Sequence, residues 1–216
     1  MIGPRKVATL VQPTVRSLSW APLAGGGALA LALLALTDRG LTELRLAAIA
    51  TCVGAAFALD DVAAATVACS PTTLLVRRAV RVALAVSTLG ALWVLLSVLA
   101  RGAASFGVSL ELAAMLAVTL AAAAIAARIR GDGRGGVAAG PALLTLLAAA
   151  FLLLPPRWSL FPADARDPSW TAAHQRWALI LLAGVLCLLW ASRDPGHRRW
   201  APRTPSTAQA HCLDNH

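Results

Sequence analysis

Two adjacent carboxylates, Asp60 and Asp61, stand shortly before a basic cluster of Arg77, Arg78 and Arg81, in the segment LDDVAAATVACSPTTLLVRRAVR. Paired carboxylates are the donor set for a divalent cation in metal-dependent chemistry on lipid headgroups. Such a site needs further acidic residues at helical spacing, and the nearest, Asp132, belongs to another loop. The plainer physical role is helix capping combined with an ion pair between the aspartates and the arginines. The helix-compatible run Val62–Cys69 must stop at Ser70-Pro71, because the residue before a proline avoids the helical region. Thr72 or Thr73 then caps a new helix, on which Arg77 and Arg81, four apart, share a face.

The remaining reactive residue types are scattered. Glu43, Arg45, Glu111, His174 and Arg176 fall near the ends of apolar runs, where long side chains can snorkel to the interface. No ionisable residue stands mid-run, which argues against a proton-coupled carrier acting alone. Paired axial haem ligands, an HExxH zinc motif and an intramembrane aspartate pair are all missing from the sequence. GDGRGG, residues 131–136, resembles a phosphate cradle only superficially. It has neither the following Lys-Ser/Thr nor a preceding buried strand, and reads as a flexible linker. Cys52, Cys69, Cys187 and Cys212 form no CxxC pair. The expectation is a chain without a cofactor, a metal or catalysis of its own.

The elements that must position these residues are six apolar stretches, Trp20–Thr37, Leu41–Leu59, Val80–Ala100, Phe106–Ala127, Val137–Leu154 and Ala172–Ala191. Each approaches the roughly 20 residues that carry a helix across a bilayer core. Unbroken rather than alternating apolar runs exclude a transmembrane barrel. With 58% hydrophobic and 13% charged residues, one soluble core could not bury this chain. An all-α, polytopic membrane protein is expected, with a basic arm over residues 1–19, a six-helix domain over 20–191 and a disordered basic tail over 192–216. The first run follows Arg5 and Lys6 as a signal peptide would, but is long for one and reads as a retained span.

The net charge of +9 does not indicate nucleic acid, because the basic residues alternate by loop. Thirteen lie in the N-terminal arm, the second and fourth loops and the tail; six lie in the alternate loops and their flanks. The positive-inside rule then places both termini in the cytoplasm, with the basic excess facing anionic lipid headgroups. Arg outnumbers Lys eighteen to one, a coding bias of high-GC bacterial genomes. Gly25, Gly26 and Gly27, together with Ala121–Ala124, are expected to permit close helix approach. Trp20, Trp177 and Trp190 read as interface anchors. The loop Pro155–Thr171, with Trp158, Phe161 and Trp170 among its prolines, reads as an interfacial or re-entrant element.

This layout, with LDDVAAAT, SPTT and RR-x-x-R between the second and third spans, resembles the membrane subunits of bacterial ABC-2-type exporters. In that family the same connection forms a coupling helix that docks on the ATPase. The resemblance implies a permease-like subunit of the bacterial plasma membrane, paired as a homo- or heterodimer. It also implies that Asp60, Asp61, Arg77, Arg78 and Arg81 form the coupling region. No Walker motif is present, so the ATP-binding subunit would be a separate polypeptide. The alternatives are a non-transporting scaffold or assembly subunit and, third, a metal-dependent lipid-headgroup enzyme.

Overall fold

In a lipid environment every backbone N–H and C=O must find its partner inside the segment, and long apolar runs accordingly become helices. The computed structural model describes residues 14–60, 74–100, 106–131, 134–155, 158–162, 164 and 166–193. The principal helices are α1 (Trp20–Leu36), α2 (Leu41–Ala55, tightened into a 3-10 turn over Ala56–Leu59), α3 (Leu74–Leu99), α4 (Phe106–Arg130), α5 (Gly136–Leu153) and α6 (Trp170–Ser192). The protein is all-α, with no strand among the described residues. Five helical segments, from α2 with its 3-10 turn through α6, are long and apolar enough to cross a membrane. The first apolar stretch forms α1, a helix of 17 residues, or roughly 25 Å at 1.5 Å per residue.

Local signals set the ends. Pro22 falls within the first turn of α1, where a missing N–H costs nothing. Thr37 Oγ1 donates to the Leu33 carbonyl (2.6 Å) and Arg39 Nε to that of Leu34 (3.1 Å), satisfying the last acceptors of α1. Arg39 itself turns the chain at φ 58°, the left-handed region. Gly131, at φ 73°, ends α4 and donates to the Ala127 carbonyl at 3.0 Å, as a glycine beyond a helix C-terminus commonly does.

α2 and α4 form the centre; α3, α5 and α6 present most of their length outward. Burying leucine among helices gains little over leaving it in lipid, so close packing of small residues carries much of the association. A Cβ on Gly26 would lie 2.6 Å from the Ala50 carbonyl oxygen and 3.2 Å from Gly54 Cα. One on Gly54 would lie 2.6 Å from the Pro22 oxygen. Gly26 and Gly54 thus form the contact between α1 and α2, while Gly25 has open space beside it. The alanine patch has the same role: Ala121, Ala123 and Ala124 are buried on α4. Gly54→Ala should therefore force α1 and α2 apart and cost about 1–3 kcal/mol. Gly25→Ala should be neutral, both variants being compared with the parent by denaturant unfolding in detergent micelles.

Candidate functional site

Asp60 ends the 3-10 turn after α2 in an extended conformation and is buried. Its Oδ1 accepts the backbone N–H groups of Gly135 and Gly136, both at 2.7 Å. Gly135 is the residue preceding α5 and has no side chain with which to cap it. The carboxylate therefore caps α5 from 75 positions away in the chain, meeting both the orphan donors and the positive end of the helix dipole. Both glycines are needed sterically. A Cβ on Gly135 would overlap the Ala123 carbonyl, and one on Gly136 would come within 2.8 Å of Phe57 Cα. The last two residues of GDGRGG, read from sequence as part of a linker, are an anion cradle whose anion is the protein's own Asp60.

The basic cluster serves the same end of the bundle. The helix expected after Thr72–Thr73 begins at Leu74. Arg81 is buried and donates through Nη1 to the Asp60 main-chain carbonyl and through Nη2 to Ser17 Oγ (3.2 Å). Arg78 Nη1 donates to the Ala191 carbonyl at 2.6 Å. Arg128 Nη1 donates to the Arg193 carbonyl at 3.1 Å, with its guanidinium 5.0 Å from the Trp190 ring centroid. Two guanidinium groups thus cover the C-terminal carbonyls of α6, the negative end of its dipole. Arg77 is half-buried one residue before Arg78. Asp61 lies outside the described residues, as do Thr72 and Thr73. Four of the five expected coupling residues therefore converge on one end of the bundle. There the Asp60 carboxylate goes to α5, and Arg81 meets Asp60 through its main chain.

The opposite end holds a site that positions along the sequence did not reveal. Arg45 of α2 and Glu111 of α4 form a two-pronged pair, Nε–Oε2 and Nη2–Oε1, both at 2.7 Å. Glu111 is 0% exposed and Arg45 7%. They do not snorkel. The remaining Arg45 donor, Nη1, reaches the Pro162 carbonyl at 2.7 Å, and its guanidinium lies 5.5 Å from the Phe161 ring centroid. His174 of α6 completes the group, with Nε2 3.3 Å from Glu111 Oε1 in a geometry that makes no hydrogen bond. Its Nδ1 lies 2.7 Å from the Trp170 carbonyl. That oxygen only accepts, so Nδ1 carries a proton and Nε2 faces Glu111 as a lone pair on the neutral ring or as a second N–H on the cation. Gly107 makes room for the ring, since a Cβ there would overlap Nε2.

The loop before α6 closes over this cluster. Trp177 Nε1 donates to the Leu160 carbonyl (2.8 Å) and Arg176 Nη1 to that of Ser159 (3.0 Å). Phe161 packs edge-on against Trp177, ring centroids 5.4 Å apart. Trp177, expected as an interface anchor, is instead 2% exposed and a core residue; Trp20 and Trp190 are exposed as expected. Asp167 accepts the Ser169 main-chain N–H and hydroxyl, both at 2.8 Å, and these bonds hold its carboxyl below the usual range. Among the described residues no three His, Cys, Asp or Glu side chains come together in a metal-binding arrangement. Sequence held one clue to the buried cluster: opposite charges, Arg45 and Glu111, lie at similar depth from the same end of two apolar runs. Comparison with protein-family models, curated proteins and solved structures gives no match for this chain.

Proposed function

We propose that this chain is a permease-like membrane subunit of an ABC-2-type export system, with six crossings and both termini in the cytoplasm. It forms part of a translocation path and takes its energy from a separate ATP-binding subunit. The observation that carries this reading is the stitching around the connection between α2 and α3. Asp60 holds the start of α5, while Arg78 holds the end of α6. A force applied to residues 61–73 by a cytoplasmic partner is therefore delivered to two distant helices at once. This is what a coupling element needs. The buried Arg45–Glu111 pair at the other end supplies a fixed point against which such a force can act.

Isolation of the tagged chain from native membranes in mild detergent tests the proposal. A Walker-containing ATPase should co-purify, and a cross-linker placed at position 77 should join the two. The isolated chain should show no ATP turnover, because it lacks the phosphate-binding loop and lysine. ATP hydrolysis by the pure chain, or a stable complex containing no ATPase, overturns the reading; the latter outcome identifies a scaffold subunit. Orientation is tested separately by cysteine labelling in intact cells. Positions 16, 130 and 199 should be protected from an impermeant reagent and positions 39 and 166 labelled.

A further inference from the structure

α5 and α6 both pack against α4 and make little contact with each other. Between them lies a crevice of 440 Å³, with Met115 and Val118 of α4 as its floor. Leu147 and Ala150 stand on one side, and Trp177 and Ile180 on the other. Its described lining is wholly apolar. The rim residues Leu146 and Leu153 are 56% and 79% exposed, so the crevice opens sideways, into what is lipid when the protein is in a membrane. The space falls within the roughly 300–1,000 Å³ of small-molecule sites.

A second compartment of 340 Å³ adjoins it and shares Ala150, Leu154 and Leu160. Six of its nine lining residues are apolar, and Ser159, Asp167 and Ser169 from the loop before α6 supply its polar groups. Arg176 stands beside it, bonded to the Ser159 carbonyl and 5.1 Å from the Trp158 ring centroid. An apolar slot thus runs into a chamber whose wall holds the Asp167 side chain, with Arg176 beside it. A transmembrane helix would need the groove to continue along the whole height. The lining on α5 begins at Leu143, short of Gly135 and Gly136, which pack against α4 and the α2 turn.

We infer that the crevice between α5 and α6 binds one membrane phospholipid with an amine-bearing, zwitterionic headgroup, its acyl chain on Trp177 and Ala150 and its ammonium on Asp167. The headgroup phosphate is placed toward Arg176. Asp167 in the chamber wall is the complement of an ammonium, with Arg176 outside it toward the phosphate, whereas an anionic glycerol headgroup leaves Asp167 without a complement.

The test uses the full-length chain in detergent, supplied with equal amounts of phosphatidylethanolamine and phosphatidylglycerol. Retained lipid is counted by native mass spectrometry. One phosphatidylethanolamine should persist per chain, favoured at least fivefold over phosphatidylglycerol. Ala150→Trp, which fills the slot where the two compartments join, should abolish retention. Val98→Trp, at an exposed position on α3 that lines neither compartment, is the control for folding and should retain the lipid. Asp167→Asn should keep a lipid but lose the preference for the amine. Equal retention of both lipids would mean ordinary lipid contact only and overturns the inference. So does unchanged retention in Ala150→Trp. Disulfide capture of a second copy through Ala150→Cys would place a helix in the slot and likewise overturn it.

Discussion

Glu111→Ala is expected to be the most damaging single substitution in this protein, lowering its stability by about 3–5 kcal/mol. The reason is the charge left behind rather than the bond removed. Arg45 is buried with its Nε and Nη2 on Glu111, and without the carboxylate a guanidinium stays in a medium that cannot solvate it. Arg45→Ala should be similarly severe by the mirror argument, and should also release the Pro162 carbonyl. The double change Arg45→Met with Glu111→Leu removes both charges and should recover most of the loss, because apolar replacements of a buried pair are often neutral. Reversible unfolding in mixed micelles, followed by tryptophan emission, gives the comparison. A Glu111→Ala protein within about 1 kcal/mol of the parent would show the pair to be no stronger than a surface one.

The second large effect belongs to Asp60. Asp60→Ala leaves the Gly135 and Gly136 N–H groups buried without an acceptor, at about 1–3 kcal/mol for each orphaned donor. Asp60→Asn keeps an acceptor oxygen and loses only the charge at the dipole, so about 0.3–1 kcal/mol is expected. Hydrogen exchange separates this local role from a general loss of stability. The first-turn amides of α5 should exchange far faster in Asp60→Ala, while those at the centre of α4 change only as much as global stability requires. If the connection also couples to an ATPase, Asp60→Ala should insert normally, bind its partner and fail to support partner-driven activity. Equal protection of Gly135 and Gly136 in both variants would show that the carboxylate does not hold the helix.

The helices were readable from sequence because apolar runs in a bilayer have one structural solution, and most expected spans fall within a few residues of the observed ones. Gly26 was readable for a related reason, since a small residue in an apolar run permits another backbone to come close, although Gly25 beside it meets open space. What failed was inference about direction. A position near the end of a run says how far Arg45, Glu111 and Trp177 are from the bilayer centre; it does not say whether they face inward. All three are buried because each has a partner on another segment: Glu111 for Arg45, and the Leu160 carbonyl for Trp177. Asp60 failed differently. The nearest basic cluster along the chain is Arg77, Arg78 and Arg81, yet its carboxylate answers a helix start in another loop. For the Asp60 carboxylate the partner is thus a helix start far along the chain; Asp61, the other half of the expected pairing, lies outside the described residues.

The hydrogen bonds described between helices gather at the two ends of the bundle, around Asp60 and around Glu111. Between them the packing is mostly of apolar side chains, with Cys52 Sγ directed at the Leu112 carbonyl (3.9 Å). In such packing alanine, leucine and valine are largely exchangeable in matched sets. Sequence drift can therefore rewrite the interior of every span while the architecture persists, provided a few distant pairs change together or not at all. Relatives of this protein would then be recognised less by overall identity than by spacing. The marks to seek are an aspartate just after α2 with a Gly-Gly at the start of α5, and an arginine and a glutamate at equal depth in α2 and α4. Two glycines in register on the first pair of helices complete the signature.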